Sequence, residues 1–246
     1  MSVRRNYAHR TPKMKPLKFA RNQILKLASK ARYALSQPKL RVFTHKEVPY
    51  FCQWESKELA AKILSGEIKT ETDPKWRESG AASPEEYALW SWNVCGMTCL
   101  KMILAAITGM TVPLTTLAKK CAKYGGYKVN GKQIDGLYYK PFVPFVKKEY
   151  GLTATVKPIM TIEDIIASLS KKNFVIASVS PDIRSPQSQP TYKGGHLVLM
   201  LGYNLDKQVF CLHNPSGNTP ESQEYAEVSF EQFRKFFDEK GIVIHP

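Results

Sequence analysis

Residues 95–104 read CGMTCLKMIL, a strongly helical run that follows the short loop SWN. With its apolar continuation, this run predicts a helix from Cys95 to about Thr108 that stops at Gly109. A thiol at a helix N-terminus faces unsatisfied backbone N–H groups and the positive end of the helix dipole. Both favour the thiolate, so we expect a lowered pKa and a reactive nucleophile at Cys95. Gly96 is expected to leave room for a substrate to approach the backbone.

Other helices surround this run, and a sheet follows them. Helices are predicted at 55–65, 84–92, 114–124, 138–150, 161–171 and 230–239. Strands are predicted at 152–159, 174–180, 196–203, 208–213 and 242–244. The third and fourth of these strands form a hairpin around residues 204–206. Because the helices come first along the chain and an antiparallel sheet follows, we predict an α+β domain. In this domain, the cysteine-bearing helix packs on the sheet.

Two polar residues flank the predicted hairpin. His196 opens one strand after two glycines, and Asn214 follows the next strand within HNPSG. The start and the end of a hairpin meet, so the two side chains become neighbours. A carbonyl oxygen of Asn214 can then fix one imidazole nitrogen and leave the other for the thiol of Cys95. His213 is the alternative base, but successive side chains of a strand point to opposite faces of the sheet. His213 and its neighbour Asn214 are therefore expected on opposite faces.

The cysteines do not predict a disulfide framework or a metal site. There are five of them at irregular spacing in a mid-sized chain, which indicates a reducing compartment and a cytoplasmic location. Structural zinc sites usually have two pairs of ligands that are closely spaced in the sequence. Here Cys95 and Cys99 form a single, widely spaced pair. Nucleotide-binding loops are also absent from the sequence. We therefore expect no metal and no cofactor.

Four segments together resemble a known family. They are VPYFCQ (48–53), CGMTCLKMIL (95–104), GGHLVLMLGYN (194–204) and LHNPSG (212–217). Their order looks like that of papain-like cysteine peptidases and, more closely, of the double-glycine-leader (bacteriocin-processing) peptidase-like family, over about residues 48–245. The resemblance implies that Cys95 is the nucleophile, that His196 is the general base and later the acid, and that Asn214 orients the imidazole. It also implies that the Gln53 amide contributes to an oxyanion hole beside the backbone N–H of Cys95.

The sequence departs from the family pattern in three places. Position 97 is Met where many relatives have Pro, and position 214 is Asn where Asp is more frequent. About forty residues separate Gln53 from Cys95, which is longer than expected. This insert contains several large aromatic residues, among them Trp76, Tyr87, Trp90 and Trp92. We expect it to reshape the substrate cleft.

The resemblance implies a hydrolase that cleaves a peptide or amide bond through a thioester acyl-enzyme. Two alternatives stay open. One is an acyltransferase or transpeptidase, in which an amine or a thiol takes the acyl group from the same Cys-His-Asn site. The other is a catalytically silent binding module on the same fold. Cleft shape and water exclusion decide between acceptors, so the sequence does not separate hydrolysis from acyl transfer.

The positive charge is concentrated at the N-terminus. The chain has a formal net charge of +15, yet residues 1–45 carry 12 basic and no acidic residues, and the remainder carries 24 basic and 21 acidic. With 43% hydrophobic residues, the remainder can bury a sizeable core, which excludes a largely disordered chain. We predict a basic extension over residues 1–45 and a papain-like cysteine peptidase domain over residues 46–246.

The extension contains one predicted amphipathic helix, which Pro38 ends. Its apolar residues recur on one face, at Leu17, Ala20, Ile24, Leu27, Ala28, Ala31 and Leu35. The favoured interpretation is a solvated extension or a helix packed on the body or a partner, followed by a helix on an anionic membrane surface. An organelle transit peptide also fits the acid-free composition. Nucleic acid is disfavoured because aromatic residues are sparse and no binding motif is present.

Overall fold

The computed structural model describes residues 16–246 of the chain, so the first part of the basic extension lies outside the described residues. The helices are α1 (Pro16–Leu35), α2 (Ala60–Ser65), α3 (Pro84–Ser91), α4 (Cys95–Thr108), α5 (Leu114–Lys123), α6 (Tyr139–Tyr150), α7 (Ile162–Leu169), α8 (Pro220–Gln223) and α9 (Phe230–Phe236). The strands are β1 (Val42–Thr44), β2 (Val129–Asn130), β3 (Gln133–Ile134), β4 (Thr153–Lys157), β5 (Phe174–Val179), β6 (His196–Asn204), β7 (Val209–His213), β8 (Ala226–Ser229) and β9 (Phe237–His245). The predicted α+β class is confirmed.

The main sheet has seven strands in the described part of the chain. Its order is β4-β9-β5-β6-β7-β8, with β1 paired to β6, and every pair is antiparallel. The predicted hairpin is confirmed, since β6 and β7 pair with Asn204 opposite Val209. Strand β1 brings residues 42–44 into the sheet, just ahead of the predicted domain boundary. The boundary itself stays a prediction.

Two hydrophobic cores cover the two faces of this sheet. Along β6, Leu197 and Leu199 join the core that contains the buried side chains of α4, α5 and α6. Val198 and Met200, which alternate with them, join the core that contains those of α7 and α9. Because β6 is buried on both faces, its residues 197–201 are all apolar. Helix α4 packs on β6 and thereby brings its first residue, Cys95, to the edge where β6 begins.

The helix predicted at 230–239 is wrong at its C-terminal end. Helix α9 stops at Phe236, and β9 covers residues 237–245 where only a short strand was expected. Strand β9 lies between β4 and β5, and a Cβ at Gly241 would lie 2.4 Å from the carbonyl oxygen of Ile176. The glycine therefore permits a close approach of two strands, and does not mark the end of a helix.

The predicted helix at 55–65 is also shorter than expected. A 3-10 turn at Lys57–Leu59 precedes α2, which ends at Gly66 in a left-handed conformation. Strands β1 and β8, the β2–β3 hairpin and α8 were not predicted, because each is too short to show a clear period.

Helix α1 confirms the helix predicted in the extension, and it packs against α7. Among residues 16–246, no single helix is long and apolar enough to cross a bilayer. Helices α3 and α4 meet those criteria only as a pair, which is bent by 91°.

Candidate active site

Cys95 is the first residue of α4 and is partly exposed. The next residue, Gly96, lies against β6: a Cβ there would lie 2.7 Å from a methyl carbon of Leu137 and 2.8 Å from one of Leu197. The space expected for a substrate is thus filled by two leucines. The glycine instead lets the start of α4 approach β6 closely, which keeps Cys95 beside the strand that begins with His196.

His196 is buried, and its Nε2 lies 2.8 Å from Oδ1 of Asn214. The predicted proximity of these two side chains is confirmed. An amide oxygen only accepts hydrogen bonds, so Nε2 carries the imidazole proton. No hydrogen bond engages Nδ1 of His196 among the described residues, and this nitrogen is therefore available as a base.

Two consecutive glycines hold the start of β6 in place. Gly194 and Gly195 have φ angles of +84° and +87°, a left-handed region that other residues rarely adopt. A side chain at Gly194 would also collide with the carboxylate of Asp238. The two glycines therefore allow the chain to turn sharply into the strand at His196.

Gln53 is buried and lines the same cavity as Cys95. Its backbone N–H donates to the carbonyl oxygen of Pro215 at 2.8 Å, while the hydroxyl of Tyr50 donates to the carbonyl oxygen of Asn214 at 2.9 Å. These bonds attach the Gln53 segment to the Asn214 turn, far away in sequence. The side-chain oxygen of Gln53 has no hydrogen-bond partner within residues 16–246. A buried amide oxygen without a partner can accept a hydrogen bond from a group that enters the cavity.

Sequence reasoning missed Arg184 and Ser216. The Arg184 guanidinium donates to the Ser216 hydroxyl through Nη2 at 2.6 Å and to the Ser216 carbonyl oxygen through Nε at 2.7 Å. The Ser216 hydroxyl also lies 3.1 Å from Nε2 of His196. Arg184 follows β5, and the end of β5 lies beside the start of β6, so the pairing of these strands brings Arg184 to the site.

The pKa of Cys95 is raised, which contradicts the thiolate that the sequence predicted. Burial raises the pKa of Cys95, and it outweighs the opposing effects of backbone N–H groups of Leu197 and Gly96 and of the Arg184 charge. Burial, and next the charge of Arg184, lower the pKa of His196 to about 3 although Asn214 acts in the opposite direction. At neutral pH, the Cys95 thiol and the His196 imidazole are therefore both uncharged.

A cavity of about 1020 Å³ connects these groups. Gln53, Cys95 and His196 line it. The insert between Gln53 and Cys95 supplies apolar side chains to the lining, namely Ile63, Leu64, Ile68, Ala88, Leu89 and Trp92. The charged lining residues are all basic: Lys69, Arg184 and Lys240. Lys240 is paired with Asp238, whereas Arg184 makes no ion pair with a carboxylate within the described residues.

The expectation that the insert shapes the cleft is confirmed for Trp92. Its ring meets Trp54 edge to face, and its Nε1 donates to the hydroxyl of Thr70 at 2.9 Å. The other aromatic residues of the insert lie outside the cavity lining. Tyr87 donates to the buried carboxylate of Asp73, and Trp90 belongs to the main core.

His213 has a structural position. Its Nε2 lies 3.0 Å from the carbonyl oxygen of Val48, and its Nδ1 accepts from the backbone N–H of Tyr225 at 3.0 Å. Both ring nitrogens are thus engaged.

Cys99 is fully buried, with its sulfur 3.8 Å from the carbonyl oxygen of Leu197. No group of three or more His, Cys, Asp or Glu residues in the described part of the chain is arranged to hold a metal.

Comparisons with known proteins identify the family of the chain. A family model described as the Peptidase_C39 like family matches residues 46–242. Nine chains of solved structures match, among them a protein of Bacillus anthracis described as a C39-like peptidase. This chain is 14% identical to that protein, with a TM-score of 0.48, and the match covers 83% of this chain and 98% of the other. A search of curated protein sequences finds no match.

Proposed function

Because the chain belongs to the Peptidase_C39 like family, which indicates cysteine peptidase activity, we propose that it cleaves a peptide or amide bond with Cys95 as the nucleophile. One observation carries the proposal: Cys95 and His196 line the same cavity, and Asn214 lies 2.8 Å from the imidazole. A nucleophile, a base and a group that orients the base are the parts that covalent acyl transfer needs.

In the first half of the reaction, Nδ1 of His196 takes the thiol proton as Cys95 attacks the carbonyl carbon. The resulting oxyanion accepts hydrogen bonds from the backbone N–H of Cys95 and the side-chain NH₂ of Gln53. The imidazolium then gives its proton to the leaving amine. The C–N bond breaks, and a thioester forms on Cys95.

In the second half, His196 takes a proton from a water molecule, which attacks the thioester. The C–S bond breaks, the carboxylic acid leaves, and the thiol is restored by the proton held on the imidazolium. Asn214 accepts a hydrogen bond from Nε2 of His196 in every step. The proton on Nε2 therefore stays in place, and Nδ1 is the nitrogen that takes up and releases protons. Amine or thiol acceptors would follow the same course in place of water.

The cavity lining favours one class of substrate. Its apolar side chains, among them Ile63 and Trp92, suit an apolar residue of a peptide. Arg184, which lacks a carboxylate partner within residues 16–246, suits a substrate carboxylate close to the scissile amide. A bound carboxylate would also offset the positive charge that disfavours imidazolium formation on His196.

The test begins with a library of short fluorogenic peptides that combine apolar and acidic residues. Intact-protein mass spectrometry of rapidly quenched reactions should show an acyl adduct on Cys95. Cys95→Ala should abolish both turnover and adduct with an unchanged circular dichroism spectrum. Cys211→Ala is the matched control, because Cys211 is also partly exposed but lies on β7 outside the cavity lining.

Full turnover in folded Cys95→Ala would refute the proposal. Folded wild-type protein that neither turns over a peptide nor forms an adduct would favour a silent binding module. Adding hydroxylamine or a primary amine separates hydrolysis from acyl transfer. A peptidase releases mainly the acid at millimolar amine, whereas an acyltransferase releases mainly the amide.

A further inference from the structure

Helix α1 lies on the body through its polar face. Ser29 is its buried residue, and its hydroxyl donates to Oδ1 of Asp164 on α7 at 2.5 Å. Lys26 forms an ion pair with Glu239 on β9. Tyr33 packs against the core beneath α7 and α9. The spacing of Lys26, Ser29 and Tyr33 places all three on one side of the helix.

The apolar stripe of α1 therefore points away from the body. Leu17 is 88% exposed, Ile24 64%, Leu27 65% and Leu35 89%. At about 100° per residue, this stripe is centred roughly half a turn from the face that contacts α7. Scattered exposed leucines are ordinary, but a continuous apolar stripe over five turns marks an interaction surface.

The charges beside the stripe identify its partner. Arg21 and Arg32 border one side of the stripe, Lys30 lies on the other, and the helix contains no acidic residue. Five more basic residues precede the helix in the sequence. An apolar stripe with flanking cations matches a surface that offers acyl chains and anionic headgroups together. A second copy of α1 would bring like charges together, and a nucleic acid would leave the leucines uncovered.

We propose that α1 binds the surface of an anionic lipid bilayer, parallel to the membrane plane. Leu17, Ile24, Leu27 and Leu35 enter the boundary between headgroups and acyl chains, and the flanking cations contact lipid phosphates and carboxylates. The polar contacts with α7 hold the helix in this orientation before any lipid arrives. The site cavity is unaffected, because α1 packs on α7, across the sheet from α4.

The test is co-sedimentation of the full chain with vesicles of phosphatidylcholine, alone or with 30 mol% phosphatidylserine. Binding should require phosphatidylserine and should weaken with salt. The double variant Ile24→Glu, Leu27→Glu should lose binding, while its thermal unfolding midpoint stays within a few degrees because both residues are exposed. Replacing Arg21, Lys30 and Arg32 by Gln should weaken binding on the order of 100-fold. Met110→Glu, at an exposed apolar residue outside α1, should bind as wild type.

Three results would overturn the proposal. The first is equal binding to neutral and anionic vesicles, and the second is unchanged binding by the Ile24→Glu, Leu27→Glu variant. The third is a protein that does not bind vesicles but forms a dimer, by light scattering, that this double variant abolishes. The last result would assign the stripe to a second copy of the chain.

Discussion

The backbone N–H of Ser216 donates to Oδ1 of Asn214 at 3.1 Å. A backbone N–H can only donate, so the amide atom that it meets is the oxygen, and the same oxygen faces Nε2 of His196. This contact therefore determines which way the Asn214 amide points and, through it, which imidazole nitrogen carries the proton. The turn after β7 thus sets the tautomer of His196.

Asn214→Ala should reduce kcat on the order of 100-fold or more, because the imidazole loses the acceptor that fixes its tautomer and orientation. Asn214→Asp should retain far more activity, since a carboxylate still accepts from both Ser216 and His196. Steady-state kinetics of the two variants check this. Equal losses in both, with intact folds, would mean that Asn214 does not act as an acceptor.

Gln53→Ala should lower kcat about 100- to 1000-fold and change KM little, because an oxyanion donor acts where charge develops. Gln53→Glu keeps the size of the side chain but removes the NH₂ donor, so it should be as inactive as Gln53→Ala. Gln223→Ala is a useful comparison, because that buried glutamine donates to backbone carbonyls outside the cavity lining. A rise in KM at constant kcat for Gln53→Ala would assign the amide to substrate binding instead.

Alkylation of Cys95 by iodoacetamide should rise with pH and should not level off below pH 9. The reason is that burial raises the pKa of this thiol above its ordinary value of 9.0, so the reactive thiolate becomes abundant only in alkaline solution. Peptide mass spectrometry over pH 5–10 measures the rate, with Cys211 as the internal reference. A plateau of the rate between pH 5 and 7 would instead reveal a thiolate–imidazolium pair.

Arg184→Gln should lower kcat/KM about 10- to 100-fold for a peptide with a carboxylate beside the scissile amide. The matched peptide with a neutral amide in place of the carboxylate should be affected much less. Arg184→Lys should restore part of the selectivity, since it keeps the charge but not the two bonds to Ser216. Equal losses for both peptides would mean that Arg184 only holds Ser216 in position.

The stability of the protein should fall as the pH drops below 6.5. His196 has a pKa of about 3 in the folded chain and an ordinary value of 6.5, so between these values the unfolded chain binds a proton that the folded chain does not. Over that pH range, His196 lowers the free energy of unfolding by about 1.4 kcal/mol for each unit by which the pH falls. His196→Gln should flatten the dependence by that amount in urea unfolding at pH 4.5 to 7. An unchanged slope would show that His196 titrates normally.

The fold could be predicted where a hydrophobic period is long or a cap is clear. Helix α4 has fourteen residues of helical composition, and α7 begins at Ile162, after the N-cap Thr161 and next to the predicted start of this helix. The first residues of strand β9, Phe237 to Glu239, were assigned to a helix because they continue the pattern of α9. The strand conformation of β9 depends on pairing with β4 and β5, which are remote in sequence.

The candidate site could be predicted where its residues fall within motifs. Gln53, Cys95, His196 and Asn214 all lie in such segments. Arg184 lies in a polar loop whose local pattern carries no chemistry, and only the pairing of β5 with β6 brings it to the others. The direction of the Cys95 pKa was also predicted wrongly, since the helix dipole is visible in a sequence but the burial of a side chain is not.

The hydrogen bond from Gln53 to Pro215 has a consequence for sequence variation. It attaches Gln53 to the Asn214 turn, so this contact does not involve the residues between Gln53 and Cys95. That intervening segment has a small core of its own around Trp54 and Ile63, and Asp73 joins its parts through Ser56 and Tyr87. On the proposed function, changes in this segment would therefore alter the cavity lining and the accepted substrates while the hydrogen bond from Gln53 to Pro215 is kept.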